Sequence, residues 1–562
     1  MEILQIENLT FSYPEASRPA IKDLSLSVNS GEFIVVCGET GCGKSTLLKL
    51  IKKEVSPYGD LKGSIVYKNT PIEKLSQRIS ASELGFIFQN PESQIVTDYV
   101  WHELAFGLEN LGYDNGVIRR RVAEISGYFG IEEWFNKSTN ELSGGQKQLL
   151  NLACVMVMQP DILLLDEPTA QLDPIAASNF INTLQKLNRD LGLTVILVEH
   201  RLEDVFPIAD KVLLMDGGEG VYFGNPKGIN KFFKKNPTHP MVSSLPSATR
   251  IFNMLECEGE APLSVRDGNK YITNHYRNEY TSVEQETYVS SEDKVVELKN
   301  VCFRFEKDLP DVVRNLNLSA FRGEHLCILG GNGVGKTTLL NLISGVLKAY
   351  RGKIFINGKK IESYKGGSLY IDNIAALPQN PQTLFLSKTV IEDLEEVCSS
   401  LQYTKADSDR LINENLKKLG ISHLAKNHPY DLSGGEQQKA ALAKILLTKP
   451  KILLLDEPTK AIDSGSKATL KQIIDELKSE DVAVLTVTHD IEFAASSADR
   501  CAFLFNGEVI SVDTPDKFFS ENNFYTTAAC RISHGFFKNT ILCEQVAKLC
   551  RINGEKDGGT FE

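Results

Sequence analysis

Short apolar runs that stop abruptly at glycine-rich or acidic turns punctuate this chain. FIVVC (Phe33 to Cys37) runs into GETGCGKST, and HLCILG (His325 to Gly330) runs into GGNGVGKTT. Uninterrupted apolar runs of this length, without apolar–polar alternation, mark strands buried on both faces, as in a parallel sheet flanked by helices. ILLLD recurs in DILLLDEP (Asp161 to Pro168) and KILLLDEP (Lys451 to Pro458), and TVILVEH and AVLTVTH end at His200 and His489. Leu-rich helical stretches follow both glycine turns. The pattern predicts two α/β units, each running strand, phosphate loop, helix, central helical insertion, helix, strand and loop.

The two units read as copies. Lys44 and Lys336 stand 292 residues apart, Gln89 and Gln379, Ser143 and Ser433, and Glu167 and Glu457 each 290 apart, and His200 and His489 289 apart. An offset this steady indicates duplication. The predicted boundaries are 1–235 for the first unit, 236–293 for a small helical appendage and linker, 294–520 for the second unit and 521–562 for a C-terminal helical appendage. SLPSATRIFNMLE has the apolar content to pack as a small helix on the first unit, and the polar stretch from Thr273 to Lys294 reads as a flexible link.

Composition narrows the function. The chain has 562 residues, 42% apolar and 24% charged, the proportions of an ordinary globular protein. Its formal charge of −12 argues against a surface built to neutralise nucleic-acid phosphates, and residues 226–294 carry nine basic and nine acidic side chains, so the connector is neutral. Eleven cysteines without a C-x-x-C pair suit reduced thiols. No basic and apolar leader pattern is visible at the start, and no apolar run approaches the roughly 20 residues that span a bilayer, so a membrane role is expected through a partner.

The pattern G-x-x-x-x-G-K-[ST] is met by Gly38, Gly43, Lys44 and Ser45 and again by Gly330, Gly335, Lys336 and Thr337, with Gly41, Thr46, Gly333 and Thr338 in the same stretches. Glycines let successive backbone N–H groups close on phosphates, the lysine reaches the outer phosphate oxygens and the hydroxyl ligates magnesium. In each DEP turn the first carboxylate, Asp166 or Asp456, is placed to hold the magnesium shell. The second, Glu167 or Glu457, is placed to polarise water. LSGG precedes each pair at the same spacing, with Ser143, Gly144 and Gly145 in one copy and Ser433, Gly434 and Gly435 in the other. Each opens an apolar helix, which is either a second anion-binding terminus or an ordinary N-cap.

Taken together, both halves resemble the nucleotide-binding domains of ABC transporter ATPases over nearly their whole length. The resemblance implies a P-loop fold with a helical subdomain in each half and head-to-tail packing of the halves, each ATP lying between one half's phosphate loop and the other's LSGG. It implies that Gln89 and Gln379 touch magnesium and water, that His200 and His489 contact the γ-phosphate, and that Asp173 and Asp463 communicate between sites. Tyr13 matches the aromatic that stacks on adenine, and Phe305 takes the equivalent place without the hydroxyl. The expected set is therefore ATP and Mg, with Ser45, Gln89, Asp166, Thr337, Gln379 and Asp456 toward the metal and Glu167, His200, Glu457 and His489 toward catalysis. Both sets are complete, so two competent sites are expected.

The stretch NPESQIVTDYVWHELAFGLENLG after Gln89, and AFGLEN (Ala105 to Asn110) above all, resembles the ATPases of energy-coupling-factor importers for vitamins or transition-metal ions. That resemblance implies a membrane T component docking on Gln94 to Leu111, a separate substrate-binding S component, and a location at the cytoplasmic face of the membrane. The second half lacks the AFGLEN text, so its docking surface should differ. The alternatives are a soluble tandem ABC protein acting on the ribosome, which usually carries a long basic connector, and a tandem sugar importer, which typically has one degenerate half. Cys42 lies in the first phosphate loop and reads as a small residue filling it; the alternative is a thiol whose pKa is lowered by cationic surroundings, open to oxidative inhibition. Cys530, His534, Cys543 and Cys550 match no standard zinc spacing and read as the buried face of the C-terminal appendage.

Overall fold

A computed structural model describes residues 1–562 except 15, 17, 283–290, 366, 461 and 557–562. It divides into two units, Met1–Gly268 and Asn269–Glu562. In the first unit, a four-stranded antiparallel sheet has the order Ile21–Asn29, Glu2–Ser12, Asp60–Tyr67, Thr70–Pro71. A second sheet of six strands has the order Glu219–Gly224, Lys211–Asp216, Phe33–Gly38, Thr194–Val198, Ile162–Asp166, Leu84–Ile87. All its neighbours pair in parallel except the Glu219–Gly224 edge.

The central strands Phe33–Gly38, Ile162–Asp166 and Thr194–Val198 have every residue buried, which is why the sequence shows unbroken apolar runs there. Fully burying one such Val, Leu or Ile contributes about 1.5–3 kcal/mol, so these strands supply much of the drive that forms the sheet core. Because the three strands are parallel neighbours, the loops after Gly38, Asp166 and Val198 leave from one carboxyl edge. That topology brings the phosphate loop, the carboxylate pair and the histidine together.

The predicted insertion is a helical subdomain of Val100–Asn110, Asn115–Phe129 and Gly144–Met156. Val100, Leu104 and Leu108 fall at four-residue spacing on one face and pack with Ile118, Val122, Leu150 and Leu152. The second unit repeats both sheets and the subdomain, with Val390–Ser400, Lys405–Lys418 and Gly434–Leu446 as the three helices.

Beyond the first ATPase core, Ile229–Lys235 and Ser247–Met254 are helices, and the Ser247 N–H donates to Glu203 at 2.8 Å. The stretch expected as a flexible link is ordered over its first part. The helix Val265–His275 takes in Thr273, Tyr276 bridges to Glu555, and Asn553 exchanges two hydrogen bonds of 2.7 and 2.8 Å with the Tyr280 backbone. The Asn553 amide satisfies both backbone polar groups of Tyr280, just beyond the buried Tyr276. The rest of the expected link includes 283–290, outside the described residues. In the tail, Cys543 and Cys550 are buried as expected but His534 is exposed, and among the described residues no group of His, Cys, Asp and Glu is placed to hold a metal.

The two phosphate-loop strands open differently. The first unit has Phe33 and the second His325, both with no exposure, and each backbone N–H donates to an aspartate, Asp210 or Asp499, at 2.8 Å. The His325 ring lies 2.9 Å from the Ser497 carbonyl and 2.9 Å from the Thr486 hydroxyl, and burial pushes its pKa down from 6.5 to about 4. A histidine held neutral by burial stabilises the fold above its unfolded pKa and loses that contribution as pH falls toward its folded pKa. Between pH 6.5 and about 4 the second unit should therefore lose about 3 kcal/mol through this residue. His325→Phe, the first unit's solution, should remove that loss. Urea unfolding at pH 7 and pH 4 should show the wild type losing more stability than the variant, and equal losses would contradict the account.

Candidate functional site

The first phosphate loop turns at Gly43, where nothing larger fits. Gly43, at φ +101°, precedes the helix Lys44–Ile51, and a Cβ there would lie 2.3 Å from the Ala20 carbonyl oxygen. Gly41 faces open space. Lys44 is buried, and its ammonium donates to the Gly38 and Glu39 carbonyls at 2.9 and 2.8 Å, so it is held across the loop by the loop itself. In the second unit Gly335 has the same φ of +101°, and Lys336 donates to Gly330 and Gly331, both at 3.0 Å.

Around Lys44 the predicted residues converge. The Ser45 hydroxyl donates to Asp166 at 2.8 Å, the Gln89 amide donates to Glu167 at 2.7 Å, and His200 Nε2 lies 2.8 Å from the other Glu167 oxygen. The Tyr13 hydroxyl is 3.0 Å from that of Thr46, and its ring stands edge-on to Phe11 at 5.1 Å, leaving a half-exposed aromatic over the loop. In the second unit His489 Nδ1 lies 2.8 Å from Glu457, and Lys336 is 3.7 Å from the other Glu457 oxygen. Phe305 stands edge-on to Phe303 at 5.1 Å, as Tyr13 does to Phe11, but has no hydroxyl to tie it to Thr338 and is the more exposed of the pair.

Both glutamates sit in the left-handed region, at φ +45° for Glu167 and +49° for Glu457. A non-glycine residue there costs about 1–3 kcal/mol and persists only where the surroundings over-determine it. Here the Glu167 N–H donates to Val198 at 3.0 Å and the Glu457 N–H to Val487 at 2.9 Å, locking each turn to the adjacent strand. The kink directs the carboxylate at the histidine.

Burial pushes Asp166 and Asp456 up to about 6, with the neighbouring glutamate adding to the shift and the Ser45 or Thr337 hydroxyl opposing it. One buried Asp456 oxygen has no hydrogen-bond partner among the described residues. A hydroxyl, a buried carboxylate and an amide make a set of hard donors, which suits magnesium, and a divalent cation relieves the like-charge pair. The residues present therefore fit the ion. Ser45, Asp166 and Gln89 would hold it in one site, and Thr337, Asp456 and Gln379 in the other.

The signature residues stand apart from this cluster. Ser143 caps the helix Gly144–Met156 in a capping box with Gln146, and Ser433 caps Gly434–Leu446 with Glu436. The ordinary N-cap reading thus holds for the serine side chains, while Gly144, Gly145, Gly434 and Gly435 occupy the first turn with its unpaired N–H groups. Among the described residues neither trio bonds to its own unit's phosphate loop. Asp173 and Asp463 are also N-caps, accepting from Ala176 at 2.8 Å and Ser466 at 2.7 Å. Cys42 is buried, as a small residue filling the loop should be, and burial pushes its thiol up in spite of Lys44, against the alternative of a lowered pKa.

Two residues escaped sequence reasoning. Glu199 and Lys460 both border a carboxylate pair, and their counterparts in the other half are Thr488 and Ala170. Lys460 is half-buried and faces Glu457 and Asp456. Misalignment of type between two otherwise matching halves was the available signal.

The family model described as ABC transporter matches residues 21–170 and 313–460. A protein of Bacillus thuringiensis that carries the name of an ABC transporter ATP-binding protein is 40% identical over 97% of this chain and 98% of its own length. A protein of the same description from Methanosarcina mazei is 31% identical, over 90% of this chain and 88% of its own. Among solved structures, cbiO1 from Clostridium perfringens, described as part of the ABC transporter complex cbiONQ, is 28% identical over 41% of this chain and 92% of its own, with a TM-score of 0.38. With two matched domains, each holding a lysine-bearing phosphate loop against a buried Asp-Glu pair, this chain belongs to the ABC transporter family as an ATPase with tandem nucleotide-binding domains.

Proposed function

We propose that this chain is the ATP-hydrolysing subunit of a membrane importer of the energy-coupling-factor type, taking up a vitamin or metal ion. The observation that carries the reading is an exposed aromatic surface built onto the catalytic cluster. Gln94 braces the loop after Gln89, accepting from the Phe88 N–H at 3.1 Å and donating to the Phe86 carbonyl at 3.2 Å. Beyond it Val96, Tyr99 and Trp101 are exposed, and Trp101 stacks on His102 at 5.2 Å. Buried Glu103 holds the turn by accepting from Val96 and Thr97 at 3.1 and 2.7 Å. Exposed aromatics on a braced turn suit a protein partner. The partners would be a T-like coupling protein and an S-like substrate-binding protein, which places the chain at the cytoplasmic face of the membrane. Among the described residues no helix is long and apolar enough to cross a membrane, so the membrane path belongs to those partners.

Within each site the residues divide the work. Lys44 and the loop N–H groups bind the polyphosphate, and Tyr13 offers its ring to the base. Glu167 takes a proton from the attacking water, and Gln89 and the His200 ring orient its carboxylate. Magnesium supplies charge neutralisation of the phosphate oxygens. Glu457, His489 and Lys336 do the same in the second site.

Glu167→Gln together with Glu457→Gln should lower ATP hydrolysis at least about 100-fold while Mg·ATP binding persists. Unchanged turnover in that double variant would contradict the catalytic assignment. The importer reading is tested by purifying the tagged chain from detergent-solubilised membranes. The expected outcome is a polytopic membrane protein with a second, small membrane protein, both lost from Trp101→Glu while the isolated chain keeps its ATPase rate within about twofold. Recovery of ribosomal proteins with no membrane protein would overturn it.

A further inference from the structure

The two catalytic glutamates are wired differently, and the difference traces to one position. Glu199, immediately before His200, is 3% exposed and accepts three hydrogen bonds. One carboxylate oxygen takes the Thr169 hydroxyl at 2.5 Å and the Thr169 N–H at 3.2 Å, and the other takes the His200 N–H at 3.1 Å. Thr169 lies in the turn that follows the carboxylate pair. Glu199 therefore bridges the backbone of the histidine loop to the backbone of the Glu167 turn. The titratable groups bearing on it are Glu167, Arg201 and His200.

In the second half the position is Thr488, too short to span that gap. Its hydroxyl is 3.4 Å from that of Thr459 and accepts the Asp490 N–H at 3.0 Å. The His489 N–H donates to Glu457 itself at 3.2 Å, so one carboxylate answers both the backbone and the ring of its histidine. In the first half Glu199 takes that backbone bond, and the two Glu167 oxygens meet the His200 ring and the Gln89 amide, at 2.8 and 2.7 Å. Among the described residues Gln379 makes no such bond to Glu457.

We propose that Glu199 is a positioning residue of the first ATP site: by carrying the histidine-loop backbone it leaves Glu167 to be aimed by Gln89 and the His200 ring. The second site works without this brace: one oxygen of its glutamate meets the backbone and the ring of His489, and the other lies 3.7 Å from Lys336. The inference rests on ATP hydrolysis and is independent of the importer reading.

The test uses the full chain with Glu457→Gln, so that turnover reports the first site. Adding Glu199→Thr, the second half's residue, should lower kcat at least about tenfold while the affinity for Mg·ATP, measured by titration calorimetry, stays within about twofold. Glu199→Gln, which keeps one acceptor oxygen for Thr169, should recover part of the loss. A parallel chain with Glu167→Gln, reporting the second site, should be indifferent to Glu199→Thr. Affinity falling in step with kcat would mean Glu199 only supports the fold and would overturn the proposal. So would an unchanged kcat, or an equal loss in the chain that reports the second site.

Discussion

Everything in each half depends on keeping two adjacent carboxylates, Asp166–Glu167 or Asp456–Glu457, buried at the end of a strand. The sheet makes this unavoidable: Ile162–Asp166 and Ile452–Asp456 have no exposed residue, so the acids that end them are drawn into the interior. Burying like charges is costly unless they are hydrogen-bonded and balanced. The balance is incomplete in the protein alone. The phosphate-loop lysines hold their own loops, the histidines engage the glutamates, and both aspartates are pushed up to about 6. A divalent cation with a polyphosphate would complete the arrangement in charge, and ligand binding and the relief of buried charge would then be one event.

The same constraint explains where strain is kept. A glutamate at φ +45° or +49° would relax if its turn were free, yet each is fixed by a backbone bond to the neighbouring parallel strand. The fold thereby spends a small part of its stability on aiming a carboxylate, and the surrounding buried strands are what make that affordable. Duplication then allowed the two copies to secure the same aim by different means, with Glu199 in one half and the histidine backbone in the other.

Much of this was legible in the sequence because it is written in local patterns. Unbroken apolar runs gave the parallel strands, the glycines gave the loop, and the constant offset between halves gave the duplication. The residues around Lys44 and Lys336 were found because their types and spacing follow from phosphate chemistry. Glu199 was missed because an acid after an apolar strand looks the same whether it ends in water or bridges two loops; only the Thr169 and His200 contacts distinguish them. For Cys42 the sequence left a reactive thiol open as the alternative for a related reason: proximity to Lys44 was visible, but the burial that outweighs it was not. The ordered stretch through Tyr280 was hidden because its anchor, Asn553, is distant in sequence and polar.

The central claim is that each half holds an incomplete charge cluster that one Mg·ATP completes. Titration calorimetry of Mg·ATP onto the chain carrying Glu167→Gln and Glu457→Gln tests it most directly, because hydrolysis no longer obscures the count. Two nucleotides bound per chain, falling to one when Lys44→Ala or Lys336→Ala is added, is the result expected. Binding of a single nucleotide, or a count indifferent to either lysine, would contradict the account.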